Sequence, residues 1–361
     1  MTRRRVVISG GGTGGHLYPA LAVGQKLREK DPELSLTFIG SHRRLEKDLM
    51  ERHGAHFIPL KIEGLKGRGL KSVGALALLP FAFLKSLVIL LRLRPRLVIG
   101  VGGYSSGPVV LTATLLGVPT LILEQNARPG FTNRLLVRWS KRAVAAFESS
   151  LPFFRGKGVF LGNPVRDEFY SIRPRERAGT LTLLVFGGSQ GSRILNRTVT
   201  EALDLLEAEK DRLRIYHQTG PDDVEWVKDK YGHSAFAGAV VAPFFYDMAA
   251  YFDQADLIIS RAGATTIAEL IAAQRAAVLV PFAQAADDHQ TKNARELERV
   301  SGAAVILERD LAPRLLAEKI RNYLSHPEEI TAMEHRLAAL KTDRPADRIA
   351  GLCLELMENQ R

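Results

Sequence analysis

Three glycine-rich runs stand where apolar, strand-like segments end, and each is suited to bringing backbone N–H groups up to an anion. VVISG leads into Gly11-Gly12-Thr13-Gly14-Gly15-His16, LVIGV into Gly102-Gly103-Tyr104-Ser105-Ser106-Gly107, and LTLLVF into Gly187-Gly188-Ser189-Gln190-Gly191-Ser192. Glycine lets a chain turn tightly and approach a ligand, and a helix that follows aims N–H groups at negative charge. A fourth segment follows DLIIS and reads Ser260-Arg261-Ala262-Gly263-Ala264-Thr265-Thr266-Ile267-Ala268-Glu269. Its small residues and threonine hydroxyls suit a pyrophosphate, and Glu269, one turn further in, suits acceptance from ribose hydroxyls. Tight turns and helix capping would explain any one of these segments alone. Several of them at strand carboxyl ends point to a ligand-binding α/β protein.

Gly10, Gly12 and Gly15 also fit the dinucleotide pattern G-x-G-x-x-G after a strand. An NAD site needs an acid at the end of the second strand, and Leu36–Ile39 runs instead into Gly40-Ser41-His42-Arg43-Arg44. The two arginines leave an NADP enzyme open and disfavour an NAD enzyme. No Walker-type G-x-x-x-x-G-K-[ST] occurs, nor any Cys/His set with zinc spacing. Asp287 and Asp288 are adjacent carboxylates, which diverge on most backbones, so neither a metal nor a cofactor is expected.

Such loops must be held by a sheet. Strand-like segments at Arg5–Ser9, Ser35–Ile39, Arg96–Val101, Pro119–Leu123, Ala143–Phe147 and Gly158–Phe160 alternate with amphipathic stretches such as Pro19–Lys30 and Arg43–His53, which predicts βαβ units and a parallel sheet. After the Pro/Arg-rich passage Asn163–Thr180 the pattern restarts at Leu181–Phe186, Leu213–Gln218, Ala239–Phe244, Leu257–Ser260 and Ala277–Pro281. Helical patterns close the chain at Ala312–Leu324, Glu328–Leu340 and Ala346–Glu358. With 361 residues, 46% of them apolar and 25% charged, the chain has the size for two cores. Two doubly wound α/β domains are expected, 1–165 joined by 343–361, and 166–342. A single cysteine, Cys353, excludes an internal disulfide, and no secretory-type apolar stretch opens the chain, which is expected to stay where it is made.

The net charge of +11 is unevenly spread: residues 1–160 hold 25 Lys and Arg against 9 Asp and Glu, and residues 161–361 hold 25 against 30. Between Gly64 and Leu123 stand Lys66, Arg68, Lys71, Lys85, Arg92, Arg94 and Arg96 with no acid. Within that stretch the apolar run Val73–Leu84 is interrupted by Pro80 and is too short to cross a bilayer. An apolar segment with basic flanks fits an anionic membrane surface, and so does a buried helix pair with basic ends. Its Leu, Ala and Val offer no stacking platform, so nucleic acid is not expected as a partner.

Six segments in order, GGGTGGHLYPALAV (10–23), IGVGGYSSGPVV (99–110), EQNARPGFTNR (124–134), GNPVR (162–166), GGSQGSRILN (187–196) and SRAGATTIAEL (260–270), together resemble the MurG family of N-acetylglucosaminyltransferases of peptidoglycan synthesis. The resemblance covers nearly the whole chain. It implies a GT-B fold, two Rossmann-like doubly wound domains facing a cleft, with UDP-GlcNAc held mainly by the C-terminal domain and the lipid acceptor by the N-terminal one. The implied reaction moves GlcNAc to the 4-hydroxyl of undecaprenyl-pyrophosphoryl-MurNAc-pentapeptide, inverting the α-linked donor to a β-1,4 product. By the same resemblance His16 is the candidate base, with Glu124 the alternative, and an imidazole suits proton transfer near neutral pH. Thr13, Gly14, Gly15, Ser189, Ala264, Thr265, Thr266, Ile267 and Ala268 are expected to line the donor, with the Arg166 guanidinium stabilising the leaving pyrophosphate. Glu269 is expected on the ribose, the backbone around Phe245 on the uracil, and Gln290 (or its neighbour His289) with Asn126 on the GlcNAc hydroxyls. Tyr104 and Ser105 fall on the acceptor side. The basic apolar stretch becomes a docking surface for the cytoplasmic face of the bacterial cell membrane, bound peripherally, with cell-wall synthesis proteins as further partners. Another GT-B sugar transferase to a lipid or small aglycone, or a nucleotide-sugar sensor without turnover, are the competing readings.

Overall fold

Val6, Val7 and Ile8 are all buried, as neighbours along a strand are when a parallel sheet is covered on both faces. The computed structural model describes residues 4–11, 14–42, 46–47, 50–51, 54–60, 71–175 and 179–359, and of residues 14, 71–78 and 286 the backbone alone. The chain divides into two compact units, Met1–Val165 with Thr342–Arg361, and Arg166–Lys341.

The first unit holds β1 (Arg5–Ser9), α1 (Gly14–Lys30), β2 (Ser35–Gly40), β3 (His56–Pro59), α2 (Lys71–Leu93), β4 (Leu97–Gly100), α3 (Ser106–Leu115), β5 (Thr120–Glu124), α4 (Phe131–Leu136), β6 (Arg142–Ala145) and β7 (Gly158–Phe160). All seven strands are parallel, in the order β3-β2-β1-β4-β5-β6-β7. One face of the sheet packs Leu17, Val23 and Leu27 of α1 with Ile349, Cys353 and Leu356 from the end of the chain. The other buries Ala82, Ile89 and Leu90 of α2 with Val109, Val110 and Ala113 of α3.

The first helix starts at Gly14, five residues before the predicted Pro19, and so carries that proline in its second turn at the cost of a backbone bond. Helix α2 continues through Pro80, an interior position where proline forfeits a backbone bond and crowds the preceding turn, although the sequence predicts a break there. Of the predicted helix Arg43–His53, residues 43–45, 48–49 and 52–53 lie outside the described residues, while 46–47 and 50–51 are helical. The sequence reading misses β3, a four-residue edge strand that ends in proline.

The second unit contains α5 (Asp167–Tyr170), β8 (Leu181–Phe186), α6 (Arg193–Ala202), β9 (Leu213–Gln218), α7 (Val224–Gly232), β10 (Val240–Ala242), α8 (Met248–Gln254), β11 (Leu257–Ser260), α9 (Ala264–Ala273), β12 (Ala277–Leu279), α10 (His289–Arg299), β13 (Ala304–Val305), α11 (Pro313–Ser325) and α12 (Pro327–Leu340). A last helix, α13 (Pro345–Glu358), belongs to the first unit. The second sheet is again parallel, ordered β10-β9-β8-β11-β12-β13. In both sheets the order reverses direction beside the first strand, between β1 and β4 and between β8 and β11. Ligands of open α/β sheets bind at the carboxyl ends of strands at such a switch point. The four segments singled out from the sequence follow these four strands.

Candidate functional site

In the first unit the loops after β1 and β4 lie in direct contact. A Cβ on Gly10 would collide with Val101 and with the Gly102 carbonyl, and one on Gly103 with the Gly11 carbonyl. Gly103 also has φ +78°, so both space and backbone require glycine there. His16, half-buried near the start of α1, lies against the second loop, its Nε2 3.0 Å from where a Gly102 Cβ would stand. Asn133 Nδ2 is 3.6 Å from the same point. Thr13 lies outside the described residues. Of the expected acceptor-side pair, Tyr104 is 41% exposed, but Ser105 is buried and its carbonyl accepts from Ser9 Oγ at 3.3 Å. Of the two, Tyr104 has the exposed side chain.

Glu124 ends β5 and is buried. Its Oε1 accepts from Asn126 N at 2.9 Å and Asn126 Nδ2 at 3.0 Å. Its Oε2 accepts from Gly130 N at 3.0 Å and Asn133 Nδ2 at 2.9 Å. Burial raises its pKa, and these four hydrogen bonds oppose the rise. A carboxylate offers about four lone-pair sites, and these four donors occupy them. Glu124 therefore ties down the loop 125–133. Asn126 spends its Nδ2 on that same carboxylate.

In the second unit a Cβ on Gly191, where φ is +75°, would collide with the Thr219 carbonyl, so the loop after β8 sits directly on the turn after β9. Ser189 lies half-buried within that loop. Helix α9 is capped by Gly263, which has no side chain, and Ile267 N already bonds to Gly263 O at 2.9 Å. The positive end of the helix dipole thus lies at Ala264, Thr265 and Thr266. Ile267 is fully buried and its N–H bonds to Gly263 O, and Ala268 follows it half-buried inside the helix.

Glu269 is half-buried one turn into α9. Burial pushes its pKa up to about 7, and the Arg166 guanidinium pulls it back down. Arg166 stands before α5 with its guanidinium 5.1 Å from the centre of the Phe169 ring, so two sequence candidates a hundred residues apart share one electrostatic neighbourhood. Gln290 Oε1 accepts from Ala262 N at 3.2 Å and Phe282 N at 3.0 Å, joining the loops after β11 and β12. Only its Nε2 donors remain to offer a sugar hydroxyl. The Phe245 ring is buried and stacked on Tyr251, with centroids 3.8 Å apart, and its N–H donates to Gln218 Oε1 at 2.8 Å. Among the described residues no group of three or more His, Cys, Asp or Glu is placed to hold a metal ion.

Several supporting residues escape the sequence reading. Arg261 is buried, reaches the carbonyls of Val280 and Pro281, and pairs with Glu308. Asn196 Nδ2 donates to Thr219 O at 2.8 Å and Asp223 Oδ2 at 2.9 Å, so its Oδ1 accepts from His217 Nε2 at 3.1 Å. That assigns His217 the neutral Nε2–H tautomer, whose Nδ1 accepts from Tyr231 Oη at 3.1 Å. Burial lowers the His217 pKa to about 3. The available signal was the polar end, YHQTG, of an otherwise apolar strand.

Away from the loops, α2 buries Ala82, Ser86, Ile89 and Leu90 while Phe81, Leu84, Val88 and Leu91 are exposed on its outer face, Phe81 at 71%. Leu115, Phe131, Leu135 and Trp139 of the following elements are exposed as well. Lys85, Arg92, Arg94 and Arg96 are exposed along the same stretch, whereas Lys66 and Arg68 lie outside the described residues. No helix of the described residues is long and apolar enough to cross a membrane.

Two doubly wound parallel sheets in one chain, each with glycine-rich or small-residue loops at its switch point, define the GT-B class of glycosyltransferase fold. Residues 6–145 match the model of the glycosyltransferase family 28 N-terminal domain and residues 182–349 that of its C-terminal domain. The chain is 43% identical over 357 residues to the UDP-N-acetylglucosamine–N-acetylmuramyl-(pentapeptide) pyrophosphoryl-undecaprenol N-acetylglucosamine transferase of Syntrophus aciditrophicus, covering 98% of this chain and 99% of that one. It is 42% identical to the transferase of the same name from Myxococcus xanthus, over 98% and 93% of the two chains. The crystal structure of Acinetobacter baumannii MurG superposes with a TM-score of 0.80 at 30% identity, over 98% of this chain and 99% of that one. The chain belongs to the MurG family of glycosyltransferases.

Proposed function

We infer that this chain moves N-acetylglucosamine from UDP-GlcNAc to the 4-hydroxyl of undecaprenyl-pyrophosphoryl-MurNAc-pentapeptide, turning lipid I into lipid II in peptidoglycan synthesis. The observation that carries this reading is the 43% identity over 98% of the chain to a transferase of that name. In the second unit the ribose lies on Glu269, the uracil meets the backbone at Phe245, and the GlcNAc hydroxyls meet Gln290. The diphosphate sits at the positive end of α9, with Ser189 and the Arg166 guanidinium beside it. The acceptor oxygen attacks the anomeric carbon from the face opposite UDP. As the new C–O bond forms, the bond to the β-phosphate breaks, the hydroxyl proton passes to the His16 imidazole, and UDP leaves with the electron pair. The positive charge of Arg166 and the α9 dipole stabilise that leaving group without a metal.

The acceptor carries a long lipid, and a helix apolar on both its inner and outer faces suits a protein that works against a bilayer. Phe81, Leu84, Val88 and Leu91, flanked by Lys85, Arg92, Arg94 and Arg96, support peripheral docking on an anionic leaflet, the cytoplasmic one where UDP-GlcNAc is found. UDP release followed with and without the lipid-linked acceptor tests the reading. Release that depends on the acceptor supports it, and release that is equal without it sinks it.

A further inference from the structure

Gln218 is the last residue of β9, the strand that lies between β8 and β10. It is opposite Phe186, the last residue of β8, and Ala242, the last residue of β10. Neighbouring strands are about 4.8 Å apart, so the loops after β8 and β10 are two strand spacings from each other and share no ladder. A side chain from the end of β9 is the short way across, and Gln218 takes it. Its Nε2 donates to Gly188 O at 3.1 Å in the loop after β8, and its Oε1 accepts from Phe245 N at 2.8 Å in the segment after β10. Gln218 is 1% exposed, so both bonds are shielded from competing water. The turn that follows is held as tightly, with Thr219 N donating to Ala242 O at 3.0 Å and Asn196 Nδ2 to Thr219 O at 2.8 Å.

We propose that Gln218 is a positioning residue for the nucleotide, its amide clamping the 187–191 loop and the Phe245 segment at the spacing that the diphosphate and uracil of one donor molecule require. This rests on the donor assignment made above for Ser189 and Phe245. The clamp needs one donor and one acceptor at the end of a two-methylene side chain, a combination met by glutamine and by a protonated glutamate. Ionised glutamate still accepts from Phe245 N but turns a carboxylate oxygen on the Gly188 carbonyl. The effect belongs to nucleotide binding and not to the acceptor.

UDP is titrated calorimetrically into the full chain and into Gln218→Ala and Gln218→Glu, and the KM values for UDP-GlcNAc and for the lipid-linked acceptor are measured in parallel. Gln218→Ala is expected to weaken UDP binding and raise the donor KM about tenfold, leaving the acceptor KM within twofold. Gln218→Glu, compared with the unsubstituted protein at each pH, is expected to bind UDP nearly as well at pH 6 and progressively worse towards pH 8.5. It carries the test alone should the alanine variant fail to fold. Equal UDP affinity in Gln218→Ala, a Gln218→Glu ratio that does not change with pH, or a loss of thermal stability with affinity unchanged would each overturn the proposal. If the unsubstituted protein itself fails to bind UDP, the donor assignment is wrong and the clamp falls with it, whereas normal binding by both proteins overturns the clamp alone.

Discussion

Asn133 bonds to Glu124 and, like His16, lies close to Gly102, and the two candidate bases have different surroundings. The imidazole lies half-buried against the Gly102 backbone, while the carboxylate is enclosed by four donors. Substituting His16 by Ala is expected to lower kcat by about 10²-fold or more and leave the UDP affinity unchanged, since general-base catalysis contributes on that scale. Turnover within a few-fold would remove His16 from the role. Glu269 makes a pH-dependent contribution whose sign follows from its raised pKa of about 7. Ribose hydroxyls donate better to a carboxylate than to a carboxylic acid, so the donor KM is expected to rise as pH falls through 7. In Glu269→Gln the KM should be high and flat. A carboxyl raised in the folded state stabilises the fold at pH values below its ordinary 4.5, and that contribution is lost as pH rises through 7. At pH 8 Glu269→Gln is therefore expected to melt at or above the temperature of the unsubstituted protein.

At the scale of elements, the strand ends and glycine loops carry their reasons locally. β1, β7, β8, β9 and β11 fall where apolar runs stop at glycine or polar residues, and their bounds coincide with those predicted. β3 and β13 were not legible, because four and two half-exposed residues carry no period of their own. Nor were the bridges that Gln218, Gln290 and Arg261 make, whose partners are set by strand register rather than by neighbouring residues. The network around Asn196 is one such product, with both ends of its amide in use. Asn196→Ala leaves His217, Asp223 and the Thr219 carbonyl each short of a partner and is expected to cost about 2–4 kcal/mol in denaturant unfolding. The outer stripe of α2 has no such internal partner role. Phe81→Ser combined with Leu84→Ser is expected to reduce sedimentation with anionic vesicles several-fold while leaving UDP affinity intact, and undiminished vesicle binding would contradict the docking surface.

For the whole molecule, two sheets that share one six-strand order, the first with a seventh strand added at its edge, give the chain two switch points, and the duplication was visible in sequence as a strand–glycine loop–helix device at Gly10–His16 and again at Gly187–Ser192. The charge division, with the basic excess in residues 1–160, fits the proposed assignment of the lipid acceptor to the first unit and of the nucleotide sugar to the second. The central claim is the transfer itself. Purified protein is mixed with UDP-GlcNAc and undecaprenyl-linked MurNAc-pentapeptide in excess EDTA, and the lipid product is followed by mass spectrometry alongside UDP. The expected result is the gain of one N-acetylhexosamine per UDP released, with a β linkage at the MurNAc 4-hydroxyl. A lipid that keeps its mass while UDP-GlcNAc binds would contradict the acceptor, and turnover abolished by EDTA would contradict the stabilisation of UDP by Arg166 and α9.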